Sequence, residues 1–380
     1  CVLILAFPGV FCYSVRALNQ VQMAEKKGKV VVAFSGGVDS SLAAVLLRKE
    51  GYEVIGVTMK LVQGSRCCDI EAQQHAKEVC RRFDIPHHVL DVTGEFNDEV
   101  IGYFIDELGC GRTPNPCVYC NKNLKFDELL KFARKLGAEF VATGHYARVR
   151  RGSDGQYELL KGRDKTKDQS YYLCLLPQKW LARILFPVGG FLKDEIYRLA
   201  EEEGLDFLVS KKESQDLCFV SEKFKQNFIA QRIPHKPGDL VSEDGEVLGK
   251  HQGVHFYTIG QRKRIDIPNG PYFVSEIRPG KREVVVTKDS GSSALFTNVV
   301  ELRGVNFVSG VRPLRGFKVM AKVRYQQELS RARLRVAGGS AENSKPQYSL
   351  EFDKSQRAVT KGQVAVFYKG QQCLGGGFIN

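Results

Sequence analysis

A chain of 380 residues is roughly two to three times the length of an ordinary domain, so more than one hydrophobic core is expected. With 43% hydrophobic and 26% charged residues, 37 Gly and 13 Pro, the composition excludes collagenous, coiled-coil and disordered classes. The 56 Lys and Arg against 43 Asp and Glu leave a net charge of +13, which favours a polyanionic partner, nucleic acid first, over a solvated basic surface with no partner.

The 11 cysteines are scattered and include the close pairs Cys67/Cys68 and Cys117/Cys120. That distribution does not resemble the disulfide framework of a small secreted domain, so a reducing, cytoplasmic setting with thiol or metal chemistry is expected. The apolar run from Val2 to Val15 contains Pro8 and Gly9 and is too short to span a bilayer; no membrane association is expected. It also lacks the charge pattern of a signal or transit peptide. Because Met23 precedes the polar start AEKKGK, residues 1–22 are read as an upstream or disordered extension with no role in the fold.

From Lys29 the pattern runs KVVVAF as a strand, SSLAAVLLRKE as a helix closed by Gly51, EVIGVTM as a strand and the amphipathic stretch Asp69 to Phe83 as a helix. It continues through HHVLDV, the helix-like EFNDEVIGYFIDEL, the loop GRTPNP, the helix candidate LKFDELLKFARKLG and the strand EFVATG. Alternating strands and helices predict a doubly wound parallel sheet, whose ligands bind at the carboxyl ends of the strands. After about Gly204, Asp-Gly at 244–245, the turn RPGKR and the runs PYFVSEI, EVVVT, FKVMAKVRY, ARLRV and AVFYK mark hairpins. The expected fold class is α/β: an N-terminal parallel-sheet domain over 23–215, then two small, mainly antiparallel β domains over 216–290 and 291–380.

The string Ser35-Gly36-Gly37-Val38-Asp39-Ser40-Ser41 lies between a strand and a helix, where glycines let the backbone approach a phosphate and helix N–H groups point at it. It lacks the Gly-Lys-Ser/Thr of a Walker loop, and with it the arrangement that moves a γ-phosphate. An ordinary Gly turn into a capped helix is the competing reading. SGGVDSS resembles the PP-loop signature of ATP pyrophosphatases (adenine nucleotide alpha hydrolase-like domains), which implies AMP-forming chemistry.

The stretches GRTPNPCVYCNKNLKF, ATGHYARV, KDQSYYL, DLCFV and HQGVHFYTIGQRK, with the ending GQVAVFY and CLGGG, closely resemble the tRNA-specific 2-thiouridylases of the MnmA/TrmU family over about Lys29 to Gly377. The resemblance implies that Ala33, Phe34, Ser35, Gly36, Gly37, Val38, Asp39 and Ser40 hold the phosphates of ATP with Mg2+, with Met59 and Gly144 beside the nucleotide. It implies Cys120 and Cys218 as the catalytic cysteines, Cys218 carrying persulfide sulfur. Asn115, Pro116 and Cys117 would border the flipped uridine, and His145, Lys167, Asp168, Gln169, Arg324, Tyr325 and Gln363 would meet tRNA. The substrates implied are tRNAs for Lys, Glu and Gln, and the sulfur donor is a relay fed by a cysteine desulfurase.

The chemistry asks for the same equipment. Replacing a uracil C2 oxygen by sulfur requires a leaving group, which adenylation supplies, and a sulfur nucleophile ionised near neutral pH. A second thiol such as Cys120 can then release the thiolated base and leave a disulfide. A flipped base in a single-stranded anticodon loop is the accessible target. From Arg312 to Arg335 there are eight basic residues against the single acid Glu328, spaced to put several on one face of β strands that would grip phosphates. The family often has Asp where this chain has Cys117, so a carboxylate role is not carried over. Cys117, Cys120 and Cys218 leave open a [4Fe-4S] cluster as well as a local redox pair or an inert Cys117. His75, His87, His88, His235, His251 and His255 make no zinc pattern and are read as structural; Cys80, Cys110, Cys174 and Cys373 are read as packing, and Cys67 and Cys68 as packing residues, auxiliary sulfur carriers or cluster ligands. The rival functions are another adenylating PP-loop ligase, and a tRNA-binding protein with a vestigial ATP loop.

Overall fold

The computed structural model describes residues 27–61, 70–209, 217–220, 224–338 and 346–380. The readings made for residues 1–22 and for Cys67 and Cys68 lie outside them.

Five short strands, β1 (Lys29–Phe34), β2 (Glu53–Lys60), β3 (His87–Asp91), β4 (Phe140–Thr143) and β7 (Ile184–Leu185), form one parallel sheet in the order β3-β2-β1-β4-β7. Both faces of β1 are covered, which is why KVVVAF reads as a continuous apolar run and not as an alternation. Val30 and Val32 pack with Leu42 and Val45 of helix α1 (Val38–Lys49), Val79 of helix α2 (Ile70–Arg82) and Ile196. Val31, on the other face, packs with Phe96, Phe104, Leu129 and Val141. Strand order reverses between β1 and β4, and in such sheets the crevice at the reversal is where ligands sit.

The hairpin of β5 (Ala147–Arg151) and β6 (Tyr157–Lys161) leaves this sheet altogether. It pairs through Leu159 and Leu160 with Cys373 and Gln372 of β17 (Gln372–Ile379), the last strand of the C-terminal barrel. The barrel is built from β12 (Phe296–Phe307), β13 (Phe317–Lys322), β14 (Ser330–Ala337), β15 (Gln347–Arg357), β16 (Val364–Lys369) and β17, all antiparallel, and closes through the β12–β17 pairing. Closure leaves no open edge among these strands. Between the two units, β8 (Gly238–Val241), β9 (Val247–His251), β10 (Phe273–Arg278) and β11 (Glu283–Thr287) form a small sheet, antiparallel except where β11 pairs with β8.

The barrel has a core of its own around Leu334 and Phe352 and the small sheet another around Val274 and Val284, and a further core crosses between units. Val364, Val366, Tyr368 and Cys373 of the barrel belong to the same apolar core as Val118, Leu129, Tyr171 and Cys174 of the N-terminal unit. Apolar side chains from both units are removed from water together, so the barrel is part of the N-terminal unit's stability. Polar bonds cross the same seam: Tyr171 Oη donates to the Val364 carbonyl at 2.7 Å.

Candidate functional site

The loop after β1 is shaped by two residues. Gly36 has φ +75°, and a Cβ there would lie 2.5 Å from the Ala72 backbone, so no other side chain fits between β1 and α2. Ser40 closes the loop, accepting from Ser35 N at 3.1 Å and donating to the Gly37 carbonyl at 3.0 Å. The first turn of α1, with Asp39 in it, therefore opens onto the crevice at the strand-order reversal.

Asp39 is held from two sides. Lys193 Nζ, on a residue only 5% exposed, lies 2.7 and 2.9 Å from its two carboxylate oxygens, and Tyr146 Oη donates to Oδ1 at 2.6 Å. Lys193 opens the helix Lys193–Glu202, and its backbone N–H donates to Asp164 at 3.0 Å. Neither Lys193 nor Asp164 stands out in the sequence. The loop has no Walker lysine, and this lysine arrives from 154 positions downstream, a distance no local pattern encodes.

The segment that ends β4 touches three parts of the site. Gly144 abuts the start of α1: a Cβ there would be 2.6 Å from Ser40 N. His145 bonds Thr143 Oγ1 through Nδ1 at 2.7 Å and packs against Phe126 and Phe186. This apolar setting, with Lys125 nearby, pushes its pKa well below the usual histidine value, so the ring is neutral at pH 7. Tyr146 exchanges main-chain bonds with Gln169, donating to Oε1 at 2.9 Å and accepting from its N–H at 2.8 Å.

Cys117 and Cys120 lie on the short helix Pro116–Cys120. Asn115 caps it, its side chain accepting from Val118 N at 3.2 Å, and Pro116 occupies the first helical position, where no N–H is needed. Gln363 of the barrel grips the preceding loop, donating to the Thr113 and Pro114 carbonyls at 2.9 and 3.3 Å. Asn121 Nδ2 donates to the Tyr172 carbonyl at 3.1 Å, and the Tyr172 ring lies 4.5 Å from that of Tyr325. Burial and then the neighbouring Cys117 raise the Tyr172 pKa. Cys218 stands in a tight turn whose ends, Leu217 and Val220, are bridged. Phe219 beside it is packed among Phe96, Phe104 and Phe228. Cys120 is buried inside the core that extends from β1 to β17, and Cys218 packs partly buried against the same core.

The remaining predicted residues divide. Arg324 is exposed and donates to the Arg357 carbonyl, and Lys167 is half-buried next to Asp168. Asp168 is buried, its carboxylate accepting from Gly162 N, Ser170 N and Ser170 Oγ, each at 3.0 Å, so it orders the segment 162–170 from within. Met59 is buried at the carboxyl end of β2. On the barrel, Lys318 pairs with Arg333 and Met320 with Arg331, while Ala332 and Leu334 point into the core, so the alternation does place basic side chains on one outer face.

Among the described residues no three His, Cys, Asp or Glu side chains converge to hold a metal ion. Cys67 and Cys68, the other close cysteine pair, lie outside those residues. Cys80, Cys174 and Cys373 are buried, as expected of packing residues, and burial pushes the Cys80 thiol up to about 12. Cys110 is exposed, so its assignment as a packing residue was wrong.

Three domain families match in succession: a tRNA methyl transferase HUP domain over residues 28–222, a tRNA methyl transferase PRC-barrel domain over 226–288 and an aminomethyltransferase beta-barrel domain over 299–379. The tRNA-specific 2-thiouridylase MnmA of Clostridium perfringens is 43% identical over 365 residues, 93% of this chain and 98% of that protein. The chain belongs to the tRNA-specific 2-thiouridylase (MnmA) family. MnmA of Clostridium botulinum strain Alaska E43 is 40% identical over 368 residues, 94% of this chain and 99% of the relative. MnmA 1 of Geobacillus kaustophilus is 41% identical over 365 residues, 93% and 96%. Each MnmA match spans nearly the whole of both chains, so all three units enter the comparison and not the phosphate loop alone. Among the described residues no helix is long and apolar enough to cross a membrane.

Proposed function

We propose that this protein is an ATP-dependent tRNA 2-thiouridylase that converts the wobble uridine of tRNA to 2-thiouridine, with tRNAs for Lys, Glu and Gln as substrates. The observation that carries the reading is the packing of Cys120 within, and of Cys218 against, the core beside the parallel sheet whose β1 loop opens at the strand-order reversal. An amide-forming ligase built on the same loop has no use for such a pair.

ATP binds with its phosphates against Ser35 to Ser40, where the loop N–H groups and the N-terminus of α1 attract negative charge. Asp39, paired with Lys193 and still partly open to solvent, is the carboxylate that would hold Mg2+, which would supply charge neutralisation on the phosphates. The uracil C2 oxygen attacks the α-phosphorus and expels pyrophosphate, leaving C2 bonded to AMP. The terminal sulfur of a Cys218 persulfide, delivered by a relay from a cysteine desulfurase, then attacks C2 and expels AMP. Cys120 thiolate attacks the Cys218 sulfur, the S–S bond to the base breaks, and the base leaves as 2-thiouridine. The resulting Cys120–Cys218 disulfide is reopened by a two-electron dithiol reductant. Asn115, Pro116 and Cys117 border the base, and Tyr325, Arg324 and Gln363 contribute the barrel's side of the tRNA contact. The outer basic face of β13 and β14 holds phosphates without reading bases.

The test is mass spectrometry of nucleosides from unmodified tRNA incubated with enzyme, ATP, Mg2+, a cysteine desulfurase with cysteine as persulfide source, and a dithiol reductant. Appearance of 2-thiouridine that requires ATP supports the reading. Tight tRNA binding with neither pyrophosphate nor 2-thiouridine would show a binding protein with a vestigial loop.

A further inference from the structure

Between the loop Ser35–Ser40 and the segment Lys167–Gln169 stands one residue, Tyr146, that bonds to both. Its side chain reaches the loop, with Oη donating to Asp39 Oδ1 at 2.6 Å, and its main chain reaches the segment, with both N–H and C=O engaged by Gln169 at 2.9 and 2.8 Å. The residue is 3% exposed, so these bonds are shielded from competing water. Gln169 is followed by Ser170, whose Oγ and N–H both bond the buried Asp168, and Asp168 also takes the Gly162 N–H. The segment is therefore internally braced, and a shift of Gln169 moves Tyr146 with it. On the opposite side, Lys193 holds Asp39 at 2.7 and 2.9 Å and lies 5.6 Å from the Tyr146 ring centre. Asp39 has one firm anchor in Lys193 and one that depends on where the 167–169 segment sits.

We propose that Tyr146 is a positioning residue that ties the ATP loop to the tRNA-facing segment 167–169, so that tRNA binding and ATP binding strengthen each other. The inference rests on the functional reading above, in which the loop meets ATP and the segment meets tRNA. Phosphates bound at the loop and the RNA backbone bound at Lys167 to Gln169 would favour the same arrangement of Tyr146, and each ligand would lower the cost of ordering it for the other. A coupling of this kind is reciprocal: whatever factor ATP adds to tRNA affinity, tRNA adds to ATP affinity. It also guards against waste, because the loop reaches its working geometry for adenylation only when the RNA is in place.

The experiment measures the dissociation constant of an unmodified tRNA transcript with and without saturating α,β-methylene ATP and Mg2+, for wild type, Tyr146→Phe and Gln169→Ala. Tyr146→Phe keeps the ring and deletes only the hydroxyl; Gln169→Ala removes the Oε1 acceptor of the Tyr146 N–H, weakens the link at its other end while the backbone bond to the Tyr146 carbonyl remains, and spares Asp39. The expected result is that the nucleotide analogue tightens tRNA binding about fivefold or more in wild type and less than about twofold in both variants. For Tyr146→Phe, affinity for the analogue alone should change by less than about threefold, because Lys193 still holds Asp39. Circular dichroism and thermal melts establish which variants are folded, and either folded variant is sufficient. A folded variant that couples the two ligands as wild type does, or a wild type whose tRNA affinity ignores the analogue, overturns the link. Wild type that couples the ligands yet makes no 2-thiouridine overturns the functional reading and not the link.

Discussion

Lys193 holds both carboxylate oxygens of Asp39, at 2.7 and 2.9 Å, across 154 positions of sequence. The pair fastens the start of α1 to the start of the helix Lys193–Glu202, and its lysine side is almost wholly buried. A loop without a lysine of its own thus gains one from tertiary structure.

Replacing Lys193 by Met should strand the Asp39 charge. Removing one partner of a buried ion pair costs about 3–5 kcal/mol, and the partial exposure of Asp39 lowers the expected loss to about 2–3 kcal/mol. Urea unfolding reads this directly. Pyrophosphate release should fall at least about tenfold alongside, while tRNA affinity in the absence of ATP stays within about twofold.

The two cysteines should fail at different steps. Cys218→Ser should release pyrophosphate in the presence of tRNA and make no 2-thiouridine, since activation precedes sulfur attack. Supplying the persulfide to Cys120→Ser in excess should trap the base on Cys218 as a mixed disulfide, seen as a protein–RNA adduct on a gel that dithiothreitol removes. Wild type purified under strict chelation should thiolate fully with iron well below stoichiometric, the outcome that the persulfide route requires and a cluster on Cys117, Cys120 and Cys218 would not give.

Tyr171→Phe should destabilise the whole protein and not the barrel alone. The hydroxyl bonds the Val364 carbonyl inside the core shared by both units, and leaving that acceptor unsatisfied costs about 1–3 kcal/mol. A single cooperative unfolding transition, shifted in the variant and seen identically by probes in both units, is the expected result. Deleting the chain beyond Phe307 should yield insoluble protein, since Tyr368 and Cys373 would be missing from that core.

Exchanging Lys318, Arg331 and Arg333 together for Gln should weaken tRNA binding and flatten its salt dependence. For every phosphate that the variant no longer neutralises, the slope of log affinity against log salt should shrink by about 0.7–0.9. Filter binding between about 50 and 300 mM salt, a range over which the screening length falls to roughly half or less, measures it. These three side chains point away from the barrel core, so stability should change by less than about 0.5 kcal/mol each.

Stability should fall as pH drops below about 6.5. Burial against Phe126 and Phe186, and then Lys125, hold the His145 pKa well below its ordinary value, so below about pH 6.5 the unfolded chain takes up a proton that the folded chain refuses. His87, His251 and His255 are shifted in the same direction, by burial first. Urea unfolding at about pH 7.5, 6.5 and 5.5 should show the decline, and His145→Asn should reduce its slope by about one proton, or about 1.4 kcal/mol per pH unit.

What the sequence determined by itself is what depends on short-range pattern. The parallel sheet was legible because both faces of strands such as KVVVAF are covered, giving unbroken apolar runs between amphipathic helices. The loop Ser35–Ser40 was legible because Gly36 must adopt a positive φ against Ala72 and Ser40 must close the turn, and few other residues satisfy either demand. The outer basic face of β13 and β14 followed from the two-residue strand period. Only the tertiary structure decided that the β5–β6 hairpin leaves its own domain to pair with β17, that Asp168 is buried as an internal brace, and that Lys193 and Tyr146 both converge on Asp39. Each of these joins residues distant in the chain through buried polar bonds or strand edges. A buried lysine or a strand-edge N–H looks the same in sequence whatever meets it, because its partner is chosen by how the layers pack and not by its neighbours along the chain.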